Sequence, residues 1–136
     1  MMRILVIDGQ GGRIGRQLVK LITERFPQAE LLAVGTNSIA TESMIKGGAV
    51  KAATGENAVI YNSRRADVII GPIGIVIADA LLGEVTPKMA AAVGSSEAKK
   101  ILIPMDRCDT LVAGLRKAAV SDLLEDTMQI LGSMFD

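Results

Sequence analysis

Residues 3 to 8, RILVID, are apolar almost without alternation, and the run DGQGGRIG that begins at Asp8 places four glycines in eight residues. A strand with one wet face alternates polar and apolar residues, so a continuous run reads as a strand covered on both faces. Glycine is costly on folding because its backbone loses the most entropy and gains no side-chain burial. Four of them together mean that bare backbone is needed, either for a tight turn that lets helix and strand pack close or for a ligand. Behind the glycines, Ile14, Leu18, Leu21 and Ile22 recur at helical spacing until Pro27, which cannot continue a helix.

The same alternation continues along the chain. LLAV (31 to 34) reads as a strand, Ser38 to Lys46 as a helix closed by Gly47 and Gly48, and AVKAA (49 to 53) as a short strand. Thr54 is the expected N-cap of a helix through ENAVIYNSRRA, although Val59, Ile60 and Tyr61 also suit a strand. DVIIG (67 to 71) is a strand, and IGIVIADALLG and TPKMAAAVG are two helical pieces, the second capped by Thr86 with Pro87 at its first position. KKILIP (99 to 104) and TLVAG (110 to 114) are strands. A last helix carries Val120, Leu123, Leu124, Ile130, Leu131 and Met134 on a broad apolar face. Parallel strands need crossovers that lie on the sheet, so this order predicts a doubly wound, mainly parallel, three-layer α/β domain of Rossmann-like type over residues 1 to 136.

Composition narrows the function. Lysine plus arginine and aspartate plus glutamate each total 15, so there is no basic footprint for nucleic acid or an anionic membrane. The longest uncharged run, Val68 to Ala78, has eleven residues and a proline, too short to span a bilayer. A single Cys108 excludes an internal disulfide, and a cytoplasmic location is expected. The chain has no histidine and no tryptophan, which removes the commonest general base and most stacking platforms.

In an open parallel sheet, ligands sit outside the carboxyl ends of the strands. The residues expected there are Gly9, Gln10, Gly11, Gly12, Arg13, Ile14 and Gly15 after the first strand, and Thr36, Asn37 and Ser38 after the second. Thr54 and Asn57 follow the third strand, Gly71, Pro72, Ile73 and Gly74 the fourth, and Asp106 the fifth. Each loop alone also suits an ordinary turn, GPIG most of all, because proline and glycine can simply break the strand. The glycine loop between a strand and an amphipathic helix is the setting in which backbone N–H groups and a helix N-terminus hold a phosphate. In that reading Gly9 lets the chain turn, Gly12 admits the ligand and Gly15 lets helix meet strand.

Over about the first 35 residues this G-x-x-G-x-x-G spacing resembles the opening of extended short-chain dehydrogenases. The acidic residue that grips the adenosine ribose of NAD some 20 positions on is missing, replaced by Gly35, Thr36, Asn37 and Ser38. NAD is therefore weakened and NADP only permitted, and the cofactor expectation is NAD(P) or another nucleotide. No G-K-S/T follows the glycines, and Tyr61 is followed by Arg65 where short-chain dehydrogenases need lysine. A phosphoacceptor receiver would need an acid and a lysine where this chain has Thr54 and Met105.

Among reactive groups, Arg107 beside Cys108 would favour a thiolate, but a lone cysteine without histidine more often serves as a small buried hydrophobe. Glu56, Asp79 and Asp106 are the rim carboxylates, each of which would also serve as a helix cap. No metal-ligand spacing joins them. The last helix and the seven methionines suit either a homodimer interface or ordinary core.

The set VIDGQGGRIG, GTNSIAT, ATGEN, DVIIGPIGIVIADALLGEVTPKMA and KKILIPMDRC, over about residues 2 to 115, resembles a family of short bacterial proteins known as a domain of unknown function. The resemblance implies a stand-alone Rossmann-like domain without an assigned reaction. The leading expectation is a small protein that binds a nucleotide or other phosphorylated ligand at the glycine loop, as a sensor or subunit. The alternatives are a small enzyme on a phosphorylated or carboxylated metabolite, using Asp106, Arg107 and Cys108 or Glu56, and a protein-interaction domain without a small ligand.

Overall fold

The computed structural model describes residues 1–105, 110–114 and 118–135. Its elements, in chain order, are β1 (Arg3–Asp8), α1 (Arg13–Arg25), β2 (Glu30–Gly35), α2 (Ser38–Lys46), β3 (Lys51–Thr54), α3 (Glu56–Ser63) and β4 (Val68–Pro72). A 3₁₀ turn, Ile73–Val76, follows, then α4 (Pro87–Gly94), β5 (Lys99–Ile103) and α5 (Val120–Ser133). The five strands form one parallel sheet in the order β3-β2-β1-β4-β5. Strand order reverses between β1 and β4, which leaves a crevice where their carboxyl-end loops part.

Side chains of a strand point alternately to its two faces, and the core divides accordingly. Ile4 and Val6 of β1, Ala33 of β2 and Val68 and Ile70 of β4 meet Leu18, Val19 and Ile22 of α1, Met44 of α2 and Leu124, Met128 and Leu131 of α5. Leu5 and Ile7, Val34 and Ile69 face the other way, against Val59 of α3 and Met89 and Val93 of α4. Both faces of β1 are thus covered, as its unbroken apolar run predicts. Burying each such branched side chain stabilises the fold by about 1.5–3 kcal/mol. Met44, Met89 and Met128 are core residues, so the methionines that suit either role serve packing at these positions.

Three local expectations are corrected. Thr54 ends β3 and shares a 2.7 Å hydrogen bond with Thr41, while the N-cap of α3 is Gly55. Residues 77–85 are a chain of turns rather than a continuation of helix, with Asp79, Leu81 and Leu82 in left-handed backbone at φ 65, 57 and 57°. Alanine and leucine favour helix locally, but Leu81 and Val85 sink into the core, and that packing outweighs propensity. Residues 110–114 form no strand: Leu111 is 83% exposed, and the five-stranded sheet takes no pairing from this segment.

Candidate functional site

A cleft of about 540 Å³ opens at the switch point, within the range of small-molecule sites. Of the residues expected from sequence, Gly9, Gln10, Gly11, Gly12, Arg13, Ile14, Pro72, Ile73 and Gly74 line it. The GPIG turn, which reads equally well as structural, therefore forms one wall. Asp8, residues 77–81, Met105 and Thr110 complete it, and of these the sequence marks only Asp79, as a rim carboxylate.

The glycine loop is held from below by Asp8. This residue is 5% exposed, and its two carboxylate oxygens accept from Gly9 N–H at 2.8 Å and from Gly15 N–H at 2.7 Å. Gly12 N–H closes a tight turn onto the Gly9 carbonyl at 2.9 Å, and the Gly12 carbonyl starts α1 by accepting from Arg16. Among the described residues, nothing accepts from the N–H groups of Gly11, Arg13 or Ile14. Gly11 and Arg13 are exposed and Ile14 is half-buried.

The three regularly spaced glycines all serve packing of the chain on itself, which for Gly15 is the expected approach of helix to strand and for Gly12 is not the expected admission of a ligand. Gly12 lies at φ 72°, and a Cβ on it would come 2.8 Å from the Ala40 backbone, so it admits α2 rather than a ligand. A Cβ on Gly9 would meet Thr36, Leu81 and Glu84, and one on Gly15 would meet Met44 and Asp8. Close packing of the chain on itself explains all three. Within this loop the glycine with open space around it is Gly11.

Residues after β2 are drawn into a different arrangement. Oε1 of Glu84 accepts from Gln10 N–H at 2.8 Å, Thr36 Oγ1 at 2.7 Å and Asn37 Nδ2 at 2.7 Å. Half-burial of this carboxylate would raise its pKa, but the bonds from Gln10, Thr36 and Asn37 together outweigh that and hold it below the ordinary value. Asn37 also caps α2 through Ala40 N–H. Thr36, Asn37 and Ser38 thus lie outside the cleft lining, as do Thr54 and Asn57 beyond them. Gly15 and Gly71 are buried beneath the cleft. Glu56 accepts from Thr86 Oγ1 at 2.6 Å and ties the start of α3 to the start of α4. Asp106, Arg107 and Cys108 lie outside the described residues.

Fold and cleft together define a doubly wound α/β protein of Rossmann-like topology whose cavity sits at the strand-order switch. The chain belongs to the family described as a domain of unknown function (DUF3842), whose model matches residues 3–136. No curated protein sequence matches it. Among solved structures it is similar to a dodecameric FMN-dependent UbiX-like decarboxylase from Escherichia coli O157:H7, with a TM-score of 0.50 and 22% identity over 98% of this chain and 76% of that one. That likeness concerns the fold. Among the described residues, no helix is long and apolar enough to cross a membrane.

Proposed function

We propose that this chain, as one domain, binds a phosphorylated nucleotide-type cofactor in the cleft, with the phosphate on the N–H groups of Gly11, Arg13 and Ile14. The observation that carries this reading is the coincidence of those three unsatisfied donors with the wall of a cavity of ligand size. A helix N-terminus bearing free N–H groups favours negative charge, and Arg13 adds a cation at the same wall. The similar fold of an FMN-dependent protein makes FMN the first ligand to try. Exposed Leu82 and Leu111 near the cleft suit a homo-oligomer, to be checked by light scattering.

The test is thermal unfolding with FMN, AMP and inorganic phosphate. A ligand at 100 times its dissociation constant adds about 2.7 kcal/mol, a rise of roughly 10 °C at this chain length. Gly11→Asp puts a carboxylate into open space at the loop and should abolish the shift without unfolding the protein. No shift with any of the three ligands contradicts the proposal.

A small enzyme is the second reading, favoured by Asp79, a carboxylate on the cleft wall held at φ 65°. Asp79→Asn should then abolish turnover while leaving ligand affinity intact.

A further inference from the structure

In dinucleotide folds the pyrophosphate lies over the glycine loop and residues at the end of the second strand read the adenosine ribose. Here the chain has filled that second place with its own residues. Thr36 and Asn37, the donors available at the end of β2, both bond Oε1 of Glu84, which also holds Gln10 N–H, and Asn37 Nδ2 reaches the Gln10 carbonyl at 3.0 Å. Leu81, from the same segment, stands so near Gly9 that a Cβ there would come within 2.7 Å of its Cδ1. The segment is fastened at both ends, by the 2.7 Å bond from Asp79 N–H to the Val85 carbonyl and by burial of Leu81 and Val85. Glu84, Thr36 and Asn37 take no part in the cleft lining, which runs instead toward the end of β4.

We infer that Glu84 closes the adenosine side of the crevice, so that the site takes mononucleotides carrying one phosphomonoester and rejects dinucleotides. The inference rests on the phosphate-loop reading above and specifies its ligand class. A dinucleotide would have to displace Glu84 from three hydrogen bonds, strand the Gln10 N–H, and bring a second phosphate toward a carboxylate. A mononucleotide anchored on Gly11, Arg13 and Ile14 extends over Pro72 to Gly74 and leaves the Glu84 contacts in place. Discrimination by an obstacle against the wrong ligand is as effective as added contact with the right one.

Calorimetric titration of the whole chain tests this with two matched pairs, FMN against FAD and nicotinamide mononucleotide against NAD, each dinucleotide being the mononucleotide plus an AMP half. The wild type should bind at least one mononucleotide about tenfold or more tightly than its dinucleotide, and Glu84→Ala should narrow the ratio to below about threefold. Glu84→Gln, whose carboxamide oxygen can accept the same bonds, should keep the wild-type preference. A wild type that binds FAD or NAD as tightly as the matching mononucleotide overturns the inference and leaves the phosphate loop standing. Binding of none of the four, with no response to phosphate or AMP, overturns both. A preference that persists in folded Glu84→Ala overturns the assignment to Glu84, and the wild-type ratio is decisive by itself if that variant does not fold.

Discussion

Asp8 and Gly15, seven residues apart, are joined by a 2.7 Å hydrogen bond from the Gly15 N–H to the Asp8 carboxylate, which fastens the start of α1 to the end of β1. With the bond from Gly9 N–H to the other oxygen, Asp8 sets the curvature of the loop between them. This anchoring uses one of the helix's first N–H groups internally, while those of Arg13 and Ile14 have no acceptor among the described residues.

Asp8→Ala should therefore destabilise the protein by about 3 kcal/mol, because two N–H groups in a buried loop lose their acceptor. Asp8→Asn keeps one acceptor oxygen and should cost about half as much. Urea unfolding measures both, and equal stabilities of wild type and Asp8→Ala would show that the loop holds its shape without the carboxylate.

Gly12 and Gly11 are neighbours with opposite tolerances. Gly12→Ala meets the Ala40 backbone and a left-handed φ of 72°, for a combined loss of about 2 kcal/mol or more. Gly11→Ala has open space and should change stability by less than about 0.5 kcal/mol. Denaturation of the pair under one set of conditions checks the contrast, and reversal of the order would contradict the packing account of the glycines.

The Glu84 latch has a pH signature. Its folded pKa lies below the ordinary value of a glutamate, so its bonds stabilise the protein fully above that ordinary value, and the contribution is lost as pH falls through the folded pKa. The stability advantage of wild type over Glu84→Gln should be constant from neutral pH down to about pH 5 and shrink at lower pH. An advantage that grew on acidification would mean that the carboxylate is not the form held by Thr36, Asn37 and Gln10.

Much of the architecture is legible in the sequence because it depends on local pattern. The unbroken apolar run of β1 requires two covering layers, and Thr86 with Pro87 marks the start of α4, where the Thr86 hydroxyl indeed accepts from Met89 N–H at 3.1 Å. The loops that line the cleft also follow from strand order. What the sequence hides is contact between distant residues. Nothing near Gly12 announces that α2 will press on it at Ala40, and nothing near Thr36 announces Glu84, 48 positions away. IADALLG has the composition of a helix, but the burial of Leu81 and the pull of three donors on Glu84 fold it into left-handed turns. The spacing of Gly9, Gly12 and Gly15 points to a loop that lines the cleft, although each of the three is required for packing and the open backbone is that of Gly11.

Whether backbone amides of the glycine loop hold a phosphate is read out by two-dimensional amide NMR of the labelled protein titrated with FMN. The Gly11, Arg13 and Ile14 amide signals should move first and furthest, while that of Gly15, already bonded to Asp8, should move little. Saturating shifts confined to residues outside the cleft, or no shifts at all with FMN, AMP or phosphate, would contradict phosphate binding there.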